Sequence, residues 1–146
     1  MAADRIGVHL GCDVGSVRIG LARCDRDGVL TTPLPALPAD DRAFATIVDL
    51  AQEVEAVAIV VGYPLGLDGK PGKAAQIAVD WADRLRTYTN LPVLLHDERL
   101  STTQAQRRFH EVGRDTRSTR NAIDSASAAV ILEAYLGHKR LETDEA

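Results

Sequence analysis

The chain has little cysteine, no long apolar run and no surplus of positive charge, and each absence excludes a class of protein. Cys12 and Cys24 are the only cysteines in 146 residues, and they have neither zinc-site nor redox-pair spacing. We expect free thiols, with Cys12 packed as a small apolar residue, although a disulfide between two copies stays open. No apolar stretch approaches the roughly 20 residues of a membrane-spanning helix, and residues 1–5 contain no apolar signal core. We therefore expect a cytoplasmic protein with no membrane partner.

The formal net charge is −4, so the bulk charge gives no indication of nucleic-acid binding. The charge is unevenly distributed, because residues 99–120 contain six arginines against two acids, a local surplus of four positive charges. Such a stretch suits a phosphate backbone, and a solvated charged face has the same composition. The six arginines are Arg99, Arg107, Arg108, Arg114, Arg117 and Arg120.

The first third of the chain has the pattern of antiparallel strands. Residues 6–12 alternate between apolar and small or polar side chains, and residues 18–24 form a second strand candidate after a short turn. A hairpin signal leads to a third strand from Val29. Because Pro33 and Pro35 cannot donate ladder hydrogen bonds, we expect this strand at an edge of the sheet.

The rest of the chain alternates amphipathic helices with short apolar strands, the pattern of parallel strands that are covered on both faces. Helices are predicted near residues 40–51, 74–85, 101–110 and 121–136, and strands near 57–61 and 91–95. The core-facing stripe of the second helix should comprise Ala74, Ile77, Ala78, Trp81 and Leu85. The order βββαβαβαα predicts one α/β domain over residues 1–138, with a mixed five-stranded sheet, an antiparallel meander followed by parallel strands, flanked by helices. Residues 139–146 are expected to form a charged, disordered tail.

Three carboxylates stand at the ends of predicted elements. Asp13 ends the first strand, Glu98 follows the last strand, and Asp124 heads the apolar stripe of the last helix, four residues before Ala128. Each has a plainer interpretation: an Asx turn for Asp13, a solvated charge run for Glu98, and a favourable charge at a helix start for Asp124. Spacing alone leaves both interpretations open.

Carboxylates that converge need a cation between them. Hard oxygen ligands with open positions suit Mg²⁺ or Mn²⁺ shared with a substrate phosphate. Two such ions, about 3.5–4 Å apart, can activate water and stabilise the leaving oxygen of a phosphodiester. No cluster of cysteine and histidine in the sequence favours zinc instead.

Four sequence motifs, in order, resemble those of one known family. They occupy residues 11–22 (GCDVGSVRIGLA), 60–69 (VVGYPLGLDG), 97–102 (DERLST) and 123–132 (IDSASAAVIL). Together the motifs span nearly the whole chain and resemble the YqgF/RuvX family, whose members are described as pre-16S rRNA nucleases and as Holliday junction resolvase-like proteins.

The resemblance implies a ribonuclease H-like fold and a hydrolase whose catalytic acids are Asp13, Glu98 and Asp124. It also implies maturation of the 5′ end of pre-16S rRNA, with Holliday junction resolution as the other proposed activity. Arg18 and Arg99 match motif positions of the family and are expected to contact phosphate or to brace the acids.

Two positions depart from the family pattern. A lysine is frequent two residues before the last acid, where this chain has Ala122, and a basic residue is frequent at Val17. Arg117 or Arg120 can supply the missing charge, and with Arg114 they are expected to bind the substrate backbone.

Two other functions compete with the nuclease. Asp13 and its following glycine turn also resemble the phosphate loop of actin-like ATPases, but those enzymes close two such domains on a nucleotide and this chain has length for one. A non-enzymatic ribosome-assembly module would keep the fold and bind nucleic acid without needing three converging acids. Trimming of RNA needs only a monomer, whereas a resolvase that cuts branched DNA symmetrically should be a homodimer.

Overall fold

A computed structural model describes residues 6–65, 68–97 and 117–145, with side chains given for residues 125–139 of the last segment. Within these residues the chain forms five strands and three helices. The strands are β1 (His9–Val14), β2 (Arg18–Cys24), β3 (Thr31–Pro38), β4 (Ala58–Tyr63) and β5 (Val93–Asp97). The helices are α1 (Arg42–Glu53), α2 (Lys73–Arg86) and α3 (Arg117–Glu145). The helix predicted near residues 101–110 lies outside the described residues.

The five strands form one mixed sheet in the order β3-β2-β1-β4-β5. The first three pair antiparallel, whereas β1 with β4 and β4 with β5 pair parallel. The predicted α/β architecture of a meander followed by parallel strands is therefore confirmed. The strand that contains Pro33 and Pro35 lies at the edge, as their missing N–H groups require.

Helices cover both faces of the sheet. Leu10, Cys12 and Ile19 pack with the buried side chains of α1, while Ala22 and Cys24 belong to the core under α3. Successive residues of a strand point to opposite faces, which explains why Cys12 and its chain neighbours belong to different layers. None of the helices in the described ranges is long and apolar enough to cross a bilayer.

Both cysteines are buried free thiols. Cys12 is 0% exposed and Cys24 is 1% exposed, so neither sulfur can reach a second copy of the folded chain. Burial raises the pKa of the Cys12 thiol to about 12, which suppresses the reactive thiolate. The prediction that Cys12 packs as an apolar residue is confirmed, and an intermolecular disulfide is incompatible with this fold.

The buried face of α2 differs from the predicted stripe. Ile77 is 48% exposed and Trp81 is only half-buried. The buried residues are Ala75, Ala78, Ala82 and Leu85. The spacing of apolar residues in α2 allows the helix to bury either the predicted stripe or the face that contains the alanines. Three alanines allow the helix to lie close to its neighbours, and the bulky Ile77 and Trp81 are placed on its flank.

Helix α3 is longer than the segment predicted near residues 121–136. It begins at Arg117 and continues to Glu145, so it includes seven of the eight residues expected to form a disordered tail. Residues 138–145 contain neither glycine nor proline and are rich in lysine, arginine, leucine and glutamate, which have high helix propensity. The helix therefore continues past residue 138, where the sequence predicted that the folded domain ends.

Ser125 joins α3 to the edge strand. Its buried hydroxyl donates a hydrogen bond of 2.5 Å to the carbonyl of Leu34 in β3. Replacing Ser125 with alanine should lower the free energy of unfolding by about 1–2 kcal/mol, because a part-buried carbonyl loses its donor. Thermal unfolding measures this loss. Thr46→Ala removes an exposed hydroxyl bonded within α1 and serves as the control; equal Tm values for both variants would contradict the role assigned to Ser125.

Candidate active site

The carboxyl ends of β1, β4 and β5 meet at one edge of the sheet, here called the carboxyl edge. Asp13 is the penultimate residue of β1 and pairs with Gly20 of β2. Tyr63 of β4 pairs with Asp97, the last residue of β5. Asp13 and Asp97 are both half-buried, and both engage in interactions. Sites in α/β sheets form at this edge, so Asp13 lies where the sequence predicted chemistry.

The close approach of α3 to β1 defines the sheet face on which Asp13 lies. A Cβ atom built on Gly11 would lie 2.9 Å from the backbone oxygen of Ala128 and 3.1 Å from the Cβ of Leu132. Side chains two residues apart on a strand share a face, so Asp13 and Gly11 both lie on the α3 side. The absence of a side chain at Gly11 is what allows α3 to lie directly over β1.

Asp124 belongs to the part of α3 that lies towards the carboxyl edge. It is one helical turn before Ala128 and directly precedes Ser125, which is bonded to Leu34. Leu34 pairs with Leu21, which pairs with Cys12, the residue before Asp13. The backbone of α3 therefore brings Asp124 near the row of the sheet that contains Asp13.

The other predicted site residues are described to different extents. Arg18 begins β2 at the carboxyl edge, is half-buried and has an interaction partner. Arg117 and Arg120 lie in the first turns of α3 by their backbone positions. Glu98, Arg99 and Arg114 lie outside the described residues. Asp13 is thus the one member of the predicted acid triad whose side chain is described.

The described side chains alone do not form a metal site. No group of three histidine, cysteine, aspartate or glutamate side chains converges among those that the structure describes. The predicted triad has two members, Glu98 and Asp124, beyond those side chains. The chemistry of the described member fits the predicted ion, since Asp13 offers carboxylate oxygens at a half-buried strand end and Mg²⁺ prefers oxygen ligands.

Two histidines of the sheet pack against the second half of α3. The rings of His9 and Tyr135 are 5.7 Å apart, and His96 lies 6.0 Å from Tyr135 and 5.3 Å from His138. Burial lowers the pKa of His9, and burial together with the nearby His138 lowers the pKa of His96. Lowered pKa values favour neutral rings at pH 7, in keeping with a structural role for His9 and His96. Tyr135 and His138, one turn apart on α3, complete this packing.

Two lysines at the carboxyl edge were not singled out from the sequence. Lys70 and Lys73 line a cleft of about 580 Å³ that also includes Pro64 and Leu65, just after β4. Neither lysine forms an ion pair with another described residue. The carboxylate of Asp68 instead accepts a hydrogen bond of 2.9 Å from the backbone N–H of Lys70. By contrast, an acid pairs with each of Arg26, Arg42, Arg84 and Arg86.

Comparison with known proteins identifies both the family and the fold. The family described as "RuvX: Holliday junction resolvase" matches residues 7–138. Proteins named "Putative pre-16S rRNA nuclease" from Kineococcus radiotolerans and Rhodococcus opacus are 45% and 44% identical to the chain over 140 residues each. These alignments cover 93% and 91% of this chain, and 74% and 79% of the respective relatives.

Among solved structures, the chain is similar to RuvC of Thermus thermophilus. A complex of that protein with a Holliday junction substrate matches with a TM-score of 0.60 and 14% identity, over 93% of this chain and 96% of RuvC. A second RuvC structure from the same organism gives a TM-score of 0.57. At this identity the similarity shows the fold alone, and the ribonuclease H-like architecture expected from the motifs is confirmed. With the family match extending over nearly the whole chain, the protein belongs to the RuvX family.

Proposed function

We propose that this protein is a metal-dependent nuclease that hydrolyses phosphodiester bonds at the carboxyl edge, in 5′-end processing of pre-16S rRNA during ribosome assembly in the cytoplasm. The observation that carries the proposal is the position of Asp13. It is the penultimate residue of the central strand β1, on the face covered by α3, and Asp124 lies one helical turn before the contact of α3 with that strand. The names of the two relatives support the choice of rRNA as the substrate.

Asp13, Glu98 and Asp124 would hold the metal ions and orient the scissile phosphate between them. Bound Mg²⁺ or Mn²⁺, in a two-ion arrangement, would supply Lewis-acid stabilisation of the charge that develops on the phosphodiester oxygens. The half-buried position of Asp13 favours this role, because a carboxylate with restricted access to water interacts more strongly with a cation. The acids must therefore remain ionised and fixed in position.

The substrate backbone would follow the basic residues around these acids. Arg18 stands at the carboxyl edge, and Lys70 and Lys73 line the neighbouring cleft after β4. We assign the remaining contacts to the arginines predicted from the sequence, namely Arg99, Arg114, Arg117 and Arg120. A chain with a net charge of −4 can bind RNA in this way when basic side chains near the site contact the phosphates.

Replacing Lys70 and Lys73 together with alanine should weaken RNA binding and reduce its salt dependence. Loss of two phosphate contacts to single-stranded RNA makes the negative slope of log K against log salt concentration shallower by about 1.4. Fluorescence anisotropy of a labelled leader RNA between low and moderate salt measures the slope. Arg26→Ala is the control: it removes an exposed charge near the start of β1, at the end of the strands away from the carboxyl edge, and should leave the slope unchanged. An unchanged slope in the double variant would exclude the lysines from the substrate path.

The proposed function is tested by cleavage of two labelled substrates in parallel. One is a pre-16S 5′-leader RNA and the other is a four-way DNA junction, each with Mg²⁺, Mn²⁺ or EDTA. We expect metal-dependent cutting of the RNA that disappears in EDTA. Binding of the RNA without any cleavage would contradict the nuclease and favour a ribosome-assembly module.

Holliday junction resolution is the second candidate, because the matching family carries that description. A resolvase cuts two strands symmetrically and therefore acts as a two-fold dimer, whereas RNA trimming is compatible with a monomer. Preferred cleavage of the junction by a species that sediments as a dimer would favour resolution. Preferred cleavage of RNA by a monomer would favour the rRNA function.

A further inference from the structure

A second cleft opens beside the turn that follows Asp13. It has a volume of about 230 Å³ and lies between the β1–β2 turn, the start of α1 and the middle and last turns of α2. Gly15 lines this cleft and is two residues after Asp13, so at most about 7 Å of extended chain separates their backbones. The cleft wall lies on the sheet face packed by α1 and α2, opposite the α3 face of Asp13, so a ligand that reaches both must cross the carboxyl edge. We call it the turn cleft. Its residues include Val14, Gly15, Ser16, Asp41, Phe44, Ile77, Trp81 and Arg84.

The wall of the turn cleft is apolar and partly aromatic. Ile77 is 48% exposed on α2, and the half-buried Trp81 lies one turn further along the same helix. The Trp81 ring is held by Phe44, with the two ring centroids 5.3 Å apart. Ile77 and Trp81 were predicted from the sequence to lie in the core. Because they lie instead on the flank of α2, they leave an apolar surface open to a ligand. A rigid aromatic wall of this kind is suited to stacking a planar ring.

The charges around the cleft are paired. Arg84 forms an ion pair of 3.0 Å with Asp41, and its guanidinium lies 4.6 Å from the centre of the Phe44 ring. Asp40 pairs with Arg42 at 3.2 Å and also accepts the backbone N–H of Arg42 at 2.9 Å. Two acids offset by two arginines disfavour a phosphate in this cleft. Arginine has five donors and a carboxylate accepts several hydrogen bonds, so the Arg84–Asp41 pair retains both donor and acceptor capacity.

We propose that the turn cleft binds an unpaired nucleobase of the RNA substrate, on a strand that crosses the carboxyl edge from the scissile phosphate. The volume suits one ring system, since it is below the roughly 300–1,000 Å³ of sites for larger ligands. The base stacks against the wall formed by Ile77 and Trp81. Arg84 donates to a base carbonyl and Asp41 accepts from an exocyclic amino group, a combination found on cytosine and guanine. The proposal rests on the proposed nuclease function and adds a preference for a single-stranded, amino-bearing base on the strand that is cut.

Trp81 is the only tryptophan in the chain and reports directly on this cleft. The experiment uses the full chain carrying Asp13→Asn, in EDTA, and titrates an eight-nucleotide cytosine-rich RNA while Trp81 fluorescence is recorded. Anisotropy of the same labelled RNA measures overall binding independently. We expect quenching of Trp81 by the RNA. Binding should weaken about 5-fold or more when the bases are replaced by abasic residues, in line with stacking energies of about 1–3 kcal/mol per base.

A matched pair of variants separates the cleft from the general surface. Ile77→Ala shortens the exposed wall and should weaken binding several-fold, whereas Leu30→Ala, an exposed apolar truncation at the other edge of the sheet, should not change it. RNA binding by anisotropy without any change in Trp81 fluorescence, or equal binding of the abasic RNA, would overturn the base site and leave the nuclease proposal intact. Quenching and base-dependent binding by a wild-type chain that cleaves nothing would sustain the site and reject the nuclease.

Discussion

Asp13→Asn should abolish metal-dependent cleavage while the protein remains folded. The substitution preserves the size of the side chain at the end of β1 but removes the negative charge that would bind the metal. Loss of residues that only support metal ligands costs about 10–100-fold in affinity or activity, so loss of a ligand should cost more than about 100-fold. The measurement is the single-turnover rate on leader RNA in saturating Mg²⁺.

The same outcome is expected for Glu98→Gln and Asp124→Asn, because the three acids are proposed to act as one unit. Asp80→Asn is the matched control, since Asp80 is an exposed acid of α2 that bonds Gln76 within the helix. Thermal unfolding shows whether each variant is folded. Near-wild-type cleavage by any one of the three acid variants would remove that residue from the metal site.

Gly11→Ala should destabilise the protein and also impair cleavage. The added Cβ would lie 2.9 Å from the backbone oxygen of Ala128, and this contact can be relieved only by shifting β1 or α3. Overpacking of this kind typically costs about 1–3 kcal/mol, which corresponds to a fall in Tm of roughly 3–10 °C in a chain of this size. Because α3 also carries Asp124, the same shift should lower the cleavage rate at least about tenfold at temperatures well below Tm.

Gly137→Ala, a substitution in α3 itself, should have the opposite effect on stability. A Cβ at Gly137 would meet nothing within 4 Å, so the variant gains helix propensity without a clash. It should stabilise the protein by about 1 kcal/mol and leave cleavage unchanged. Equal Tm values for the two glycine variants would show that the close approach of α3 to β1 is not a constraint on the fold.

The sheet was predictable from the sequence because its signals are local. The second strand, residues 18–24, coincides with β2, and the prolines of the third strand correctly indicated an edge. The orientation of α2 was not predictable, since its apolar residues allow two faces and the choice depends on how closely alanines approach the rest of the core. The continuation of α3 beyond residue 136 was also missed, because a charged segment reads equally well as a tail or as an exposed helix.

The candidate site was predictable from its motifs only in part. The position of Asp13 at the end of a parallel strand follows from strand order, and the structure confirms that position. The lysine cleft and the turn cleft were not predictable. Lys70 and Lys73 matter because they form no ion pair with a described acid, whereas Arg26, Arg42, Arg84 and Arg86 do. The exposure of Ile77 depends on the rotation of α2. Both properties arise from tertiary packing rather than from spacing along the chain.

The prolines of β3 also bear on how this protein behaves in a crowded cell. An exposed edge strand offers hydrogen-bonding groups to any extended peptide, which makes it a starting point for aggregation. Pro33 and Pro35 remove two donors from the outermost strand of the meander, so an incoming strand finds an interrupted ladder there. Pairing of β3 with other extended polypeptides is thereby disfavoured, and so is self-association through β3, whatever surface the copies of this chain use to meet.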